Sequence, residues 1–191
     1  MHLKNYVRIF DEILPLNVLS NLIKYINIVN FEEAKILAPN VEDQVNFNIR
    51  RTYSKDLQFA YSNSLSEVHW CNLLTVFFKK NIQNYVNELK AIDFGCKDII
   101  QLTLLKYEEF GFYTWHTDHS PDAPRTLSCI FLLNNDYEGG NLCFRNPDGS
   151  GEWEIEVKPN RMIIWPSNFL YPHTVKPVTK GKRYSVVAWA L

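Results

Sequence analysis

The sequence lacks a surplus of charge of either sign. Among 191 residues, 20 Lys and Arg face 21 Asp and Glu, for a net charge of −1. The chain therefore offers no broad electrostatic attraction for nucleic acid or an anionic membrane, and neither is expected as a partner. Long apolar runs are also missing, since stretches such as Cys129–Leu133 are far too short to cross a bilayer. The mixed polar opening, Met1-His-Leu-Lys-Asn5, has no signal-peptide core, so the expected location is the cytoplasm. Cys71, Cys96, Cys129 and Cys143 form no C-x-x-C pair and no zinc spacing, so four reduced thiols are expected. Glycine and proline are scarce early in the chain. All seven glycines lie at or beyond Gly95, and seven of the nine prolines lie at or beyond Pro121. That distribution places the turn punctuation in the second half.

Hydrophobic residues make up 46% of the chain, enough for the core of one domain spanning 1–191. No linker or repeat divides it. After Pro15, Val18, Leu19, Leu22, Ile23 and Ile26 recur at helical spacing, following an expected strand over Tyr6–Leu14. Ser64-Leu-Ser-Glu67 reads as a capping box for a second helix with an apolar stripe of Leu74, Phe78, Ile82, Tyr85 and Leu89. From Asp98 onward the pattern changes to eight short strands: Ile99–Tyr107, Phe112–Asp118, Thr126–Leu133, Asn141–Arg145, Glu152–Lys158, Arg161–Trp165, His173–Pro177 and Arg183–Ala190. Residues 1–97 thus supply helical support, and 98–191 a β-sandwich or barrel.

Five histidines are present, and His116 forms an H-x-D pair with Asp118 at a strand end. Alternation along the strand turns both side chains to one face. His173 opens a later strand. Two imidazoles and a carboxylate from neighbouring strands can take three positions of an octahedral metal and leave three open, as in the facial triad of non-haem iron oxygenases. His119, adjacent to Asp118, should point away, and His69 has no evident partner. Arg183 and Ser185 share a face of the last strand and make a carboxylate clamp, with no acidic residue nearby on that strand. A dicarboxylate cosubstrate would satisfy a guanidinium buried there.

The stretch from Tyr107-Glu-Glu-Phe-Gly-Phe-Tyr113 to His116-Thr-Asp118 resembles the start of the catalytic core in prolyl-4-hydroxylase-like 2-oxoglutarate/Fe(II) dioxygenases. Arg125 through Asn134-Asn-Asp-Tyr-Glu-Gly139-Gly140-Asn-Leu142-Cys-Phe144 resembles the following strands and their Gly-Gly turn. Arg161-Met-Ile-Ile-Trp165-Pro-Ser167, then His173-Thr-Val175 through Arg183-Tyr-Ser185 to Trp189, complete the pattern. The resemblance covers roughly 98–191. It implies a double-stranded β-helix (jelly-roll, cupin-like) core that is mainly β, with the N-terminal helices packed on one sheet.

The same resemblance implies site roles. His116, Asp118 and His173 would bind Fe(II). Arg183, Ser185 and Tyr107 would hold the far carboxylate of 2-oxoglutarate. Tyr113, Arg125 and Trp189 would line the substrate side. O2 would be the oxidant, with ascorbate as reductant. The implied activity is hydroxylation of a peptide or protein residue, coupled to decarboxylation of 2-oxoglutarate to succinate and CO2. A free amino acid or small metabolite as substrate, or a non-enzymatic jelly-roll interaction module, are the alternatives. The chain departs from the family in four places: Arg183 stands where collagen-type members usually carry Lys, Leu132 stands where oxygen-sensing members carry a tyrosine, Glu108-Glu-Phe110 is more acidic and less glycine-rich than usual, and 31–54 matches no family segment.

Overall fold

The computed structural model describes residues 2–38, 41–57, 64–90 and 98–191. Cys96 lies outside them; Cys71, Cys129 and Cys143 carry reduced thiols. Two antiparallel sheets form the body. The larger has seven strands in the order Arg8–Asp11, Arg161–Pro166, Leu127–Leu132, Arg183–Ala190, Ile99–Tyr107, Tyr53–Asp56, Glu32–Glu33. The smaller has five, in the order Trp153–Glu154, Leu142–Phe144, His173–Val175, Phe112–His116, Arg50–Arg51. Strands distant in sequence are neighbours in both sheets, as in a double-stranded β-helix, or jelly roll.

Strict alternation divides the larger sheet into two faces. Leu102, Leu104, Phe131, Met162, Ile164, Val186 and Ala188 point outward, against the helices α1 (Leu16–Ile26) and α2 (Leu65–Leu89). Leu105, Tyr107, Ile130, Leu132, Ile163, Trp165 and Val187 point inward, against Leu142, Phe144 and Val175 of the smaller sheet. The helices therefore cover one sheet only. The Ser64 side chain accepts from the backbone N–H of Glu67 at 3.3 Å, capping α2, and the Glu67 carboxylate pairs with Lys55 at 3.1 Å. No described helix is long and apolar enough to cross a membrane.

Ile99–Tyr107 and Arg183–Ala190 keep their expected bounds, Arg161–Trp165 runs on to Pro166, and the remaining expected strands are trimmed. The expected strand over Tyr6–Leu14 is shorter. Leu3–Tyr6 is a turn of 3-10 helix, and Glu12, at φ 59°, ends the strand at Asp11. Phe112–Asp118 stops as a strand at His116, and Glu152–Lys158 shrinks to Trp153–Glu154. The first half also contributes strands that the sequence did not announce. Arg50–Arg51 pairs with Phe112–His116, Tyr53–Asp56 pairs with Ile99–Tyr107, and Glu32–Glu33 pairs with Tyr53–Asp56, so these three short strands extend both sheets.

Candidate active site

His116 ends its strand directly opposite His173, and the two rings lie 4.2 Å apart. Asp118 follows two residues later in a bend, beyond the strand. Its Oδ1 is 3.8 Å from His116 Nε2, and its Oδ2 is 3.4 Å from His173 Nε2. One ligand atom from each residue lies within 4.8 Å of the other two, a grouping that could hold one metal ion.

Neighbouring groups fix the orientation of all three. His116 Nδ1 is 2.7 Å from the Thr114 carbonyl, and His173 Nδ1 is 3.1 Å from the Tyr171 carbonyl. A carbonyl can only accept, so each Nδ1 carries the proton and each Nε2 presents a lone pair to the centre. Ser128 Oγ donates to Asp118 Oδ2 at 2.6 Å. Ser167 Oγ, 2.8 Å from Ser128 Oγ, must then donate to Ser128, forming a directed chain behind the carboxylate. Burial first, and then the charge His173 would carry, push His116 down to about 3, so its imidazole is neutral near pH 7. Burial pushes Asp118 up, but His173, His116, the Ser128 hydrogen bond and Arg125 outweigh it and keep the carboxyl below its ordinary value. Two imidazoles with their Nε2 atoms turned to the centre and one carboxylate form a donor set suited to a divalent ion.

The triad borders a cavity of about 580 Å³ between the sheets. Tyr113 stacks on His116 at 3.6 Å between centroids. Arg125 donates to the Asp118 carbonyl and to Gln101 Oε1, each at 3.2 Å, and lies 3.7 Å over the Trp189 ring. Tyr113, Arg125 and Trp189 thus all line the cavity beside the triad. His119 is exposed and clasps the Arg125 backbone, with Nδ1 2.9 Å from the Arg125 carbonyl and 3.2 Å from its N–H. His69 packs edge-on against Trp70 on α2, far along the chain from the triad.

Arg183 and Tyr107 are register partners on adjacent strands, and the guanidinium carbon lies 5.1 Å from the Tyr107 ring. Tyr107 lines the cavity, whereas Arg183 sits behind this wall, fully buried. Arg183 Nη1 donates to Ser185 Oγ at 2.9 Å, while its Nε and Nη2 have no partner. No described carboxylate forms an ion pair with it. A buried cation with two unused donors is costly unless an anion joins it, and an incoming carboxylate fits this requirement. Sequence reasoning overlooked Ser128, Ser167, Gln101 and Arg50. A signal was available for Ser128: it is a polar residue at an inward position of an otherwise apolar strand.

Residues 102–191 match the sequence model of the 2OG-Fe(II) oxygenase superfamily. A PKHD-type hydroxylase of Idiomarina loihiensis is 30% identical over 97 residues, covering 49% of this chain and 43% of the relative. Human prolyl 3-hydroxylase 2 is 41% identical over 66 residues, 34% of this chain and 9% of that protein. The chain thus aligns with less than half the length of these curated relatives. Among solved structures, a prolyl-4-hydroxylase from Pseudomonas putida matches with TM-score 0.70 and 19% identity, covering 97% of this chain and 92% of the other. A Trichoplax adhaerens prolyl hydroxylase, solved with a hypoxia inducible factor oxygen degradation domain peptide fragment, matches with TM-score 0.74 and 19% identity over 98% and 84%. These structural likenesses establish the jelly-roll fold. Residues 102–191 thus carry the sequence pattern of the 2OG-Fe(II) oxygenase superfamily, on the fold these solved structures share.

Proposed function

We propose that this protein is an Fe(II)- and 2-oxoglutarate-dependent hydroxylase acting on a peptide or protein residue. The observation that carries the reading is the convergence of His116, Asp118 and His173 on one cavity, with a buried, incompletely partnered Arg183 behind it. Iron and 2-oxoglutarate, when bound, supply oxidation of an unactivated C–H bond by O2, coupled to conversion of the cosubstrate to succinate and CO2. The protein's part is to bind, orient and exclude water.

His116, Asp118 and His173 would hold the iron, with the Thr114 and Tyr171 carbonyls and Ser128 keeping their lone pairs aimed. Arg183 would take the far carboxylate of 2-oxoglutarate. Ser185 accepts from Arg183, so its own proton is free to donate to the same carboxylate. Tyr107, across the sheet from Arg183, would close the clamp. Tyr113 and Trp189 would form a dry wall on the substrate side, with Arg125 braced between Trp189 and the Asp118 backbone. Ascorbate would serve as reductant. Residues 1–191 would work as one unit, because Arg8–Asp11 and Tyr53–Asp56 complete the larger sheet.

A peptide substrate is supported by exposed apolar residues next in sequence to a cavity-lining arginine. Phe47 and Ile49 are exposed beside Arg50, which lines the cavity and lies 4.8 Å over Tyr113. The second reading, a free amino acid or small metabolite, is favoured by the cavity volume, which falls in the range of small-molecule sites. The test is succinate formation from 2-oxoglutarate under air with Fe(II) and ascorbate, comparing wild type with His173→Ala. Turnover in wild type that is absent in the variant is expected. If wild type shows no turnover and no 2-oxoglutarate binding under anaerobic conditions, the oxygenase reading falls in favour of an interaction module.

A further inference from the structure

Beyond the triad, three buried polar atoms of two neighbouring side chains make no hydrogen bond of regular geometry: Nε and Nη2 of Arg183, and the hydroxyl of Tyr137, whose oxygen lies near enough to the guanidinium to accept from it while its proton stays free to donate. Tyr137 lies in the turn that leads into the Gly139-Gly140 pair, and both sides of that turn hold it in place. Gly140 adopts φ +64°, and a Cβ there would sit 3.0 Å from Arg183 Cδ and 3.1 Å from Tyr137 Cε2. The arginine stem and the tyrosine ring therefore pack on the same bare backbone. Gly181 closes the other side, where a Cβ would lie 3.3 Å from both Cα and Cβ of Tyr137. Burial pushes the phenol up and the Arg183 guanidinium pulls it partway back, so it keeps its proton near neutral pH.

The two unused donors of Arg183 form one edge of its planar guanidinium, the edge that takes both oxygens of a carboxylate in parallel. Each carboxylate oxygen would still have a lone pair to offer. Leu132 cannot use it, because its side chain packs in the inner apolar core. A neutral buried phenol beside the same guanidinium can. We propose that Tyr137 is a cosubstrate-binding residue, its hydroxyl donating to the far carboxylate of 2-oxoglutarate alongside Arg183 and Ser185. The assignment rests on the Fe(II)/2-oxoglutarate reading of the site and gives the clamp a phenol from the Gly-Gly turn.

The experiment is anaerobic calorimetric titration of the Fe(II)-loaded protein with 2-oxoglutarate and, separately, with 2-oxobutyrate, which lacks the far carboxylate. Tyr137→Phe keeps the ring on Gly140 and removes only the hydroxyl. It should weaken 2-oxoglutarate binding about tenfold and leave 2-oxobutyrate binding unchanged. Arg183→Met serves as the reference, losing discrimination between the two acids. If Tyr137→Phe binds both acids as wild type does while Arg183→Met loses 2-oxoglutarate, Tyr137 only packs and the proposal fails with the clamp intact. Equal weakening toward both acids likewise overturns it, since the loss would not be tied to the far carboxylate. A wild-type protein that does not prefer 2-oxoglutarate overturns the clamp itself, and Tyr137 with it.

Discussion

The two faces of the larger sheet are made from the same strands and do different work. Along Arg183–Ala190, the residues Tyr184, Val186, Ala188 and Ala190 face the helices, while Arg183, Ser185, Val187 and Trp189 point inward, with Val187 and Trp189 lining the cavity and Arg183 behind its wall. Along Leu127–Leu132 the helix side takes Leu127, Cys129 and Phe131, and the inner side takes Ser128, Ile130 and Leu132. The helix side is apolar and tightly covered. The inner side mixes apolar residues with a serine that orients Asp118 and an arginine whose donors are only partly used. One face is built for stability, and the other accepts an energetic cost for a ligand to relieve.

Removing material from each face should produce opposite results. Phe131 is fully buried on the helix side, with its ring edge-on to Phe78 at 6.5 Å. Phe131→Ala should cost about 3–5 kcal/mol in urea unfolding, through lost burial and a residual cavity. Arg183 is just as buried, yet Arg183→Met should stabilise the ligand-free protein by about 1–3 kcal/mol, because it removes a desolvated cation with unmet donors. A destabilised Arg183→Met would show that the inner face is as structural as the outer one. The triad gives a third, ligand-dependent arm. Fe(II) at about 100 times its Kd should stabilise wild type by about 2.7 kcal/mol, seen as a raised thermal midpoint that a chelator reverses. His173→Ala should show neither the rise nor the reversal.

How much of this was legible in the sequence depended on where each strand lies. Ile99–Tyr107 and Arg183–Ala190 sit mid-sheet with neighbours on both sides, so both faces are covered and the strand pattern persists to their ends. Arg50–Arg51 and Glu32–Glu33 are short polar edge strands, and no alternation of apolar residues marks them. Their pairing is decided by the strands they join. The triad was legible from H-x-D and a later histidine, although strand alternation was not what placed Asp118. That residue lies past the strand, where Ser128 draws its carboxylate in, helped by the turn that His119 clasps to Arg125. Tyr137 escaped notice because its relevance depends on Gly181, distant in sequence, closing on it opposite the nearby Gly140.

The smallest expected effect sharpens the comparison, because it concerns a second buried arginine. Arg161 is 7% exposed, and unlike Arg183 it is fully engaged. Its Nε and Nη2 donate to Asp11 Oδ1 and Oδ2 at 2.7 and 3.0 Å, the same edge that Arg183 leaves unused, and its Nη1 donates to the Glu156 carbonyl at 2.8 Å. Asp11 responds as a partnered carboxylate should. The Arg161 hydrogen bond, opposed by partial burial and reinforced by Lys158, lowers its pKa from 3.8 to about 2. A pKa depressed on folding contributes stability that is fully present above about pH 4 and fades as the pH falls toward 2. Because Asp11 is one-third exposed, solvent screening reduces this to about 1 kcal/mol. Asp11→Asn should therefore lower stability by about 1 kcal/mol at pH 7, with the deficit shrinking to nothing near pH 2, as urea midpoints at pH 7, 4 and 2 would show. A deficit that persists at pH 2 would mean that Asp11 acts through packing of its edge strand. The contrast between a satisfied and an expectant arginine would then rest on Arg183 alone.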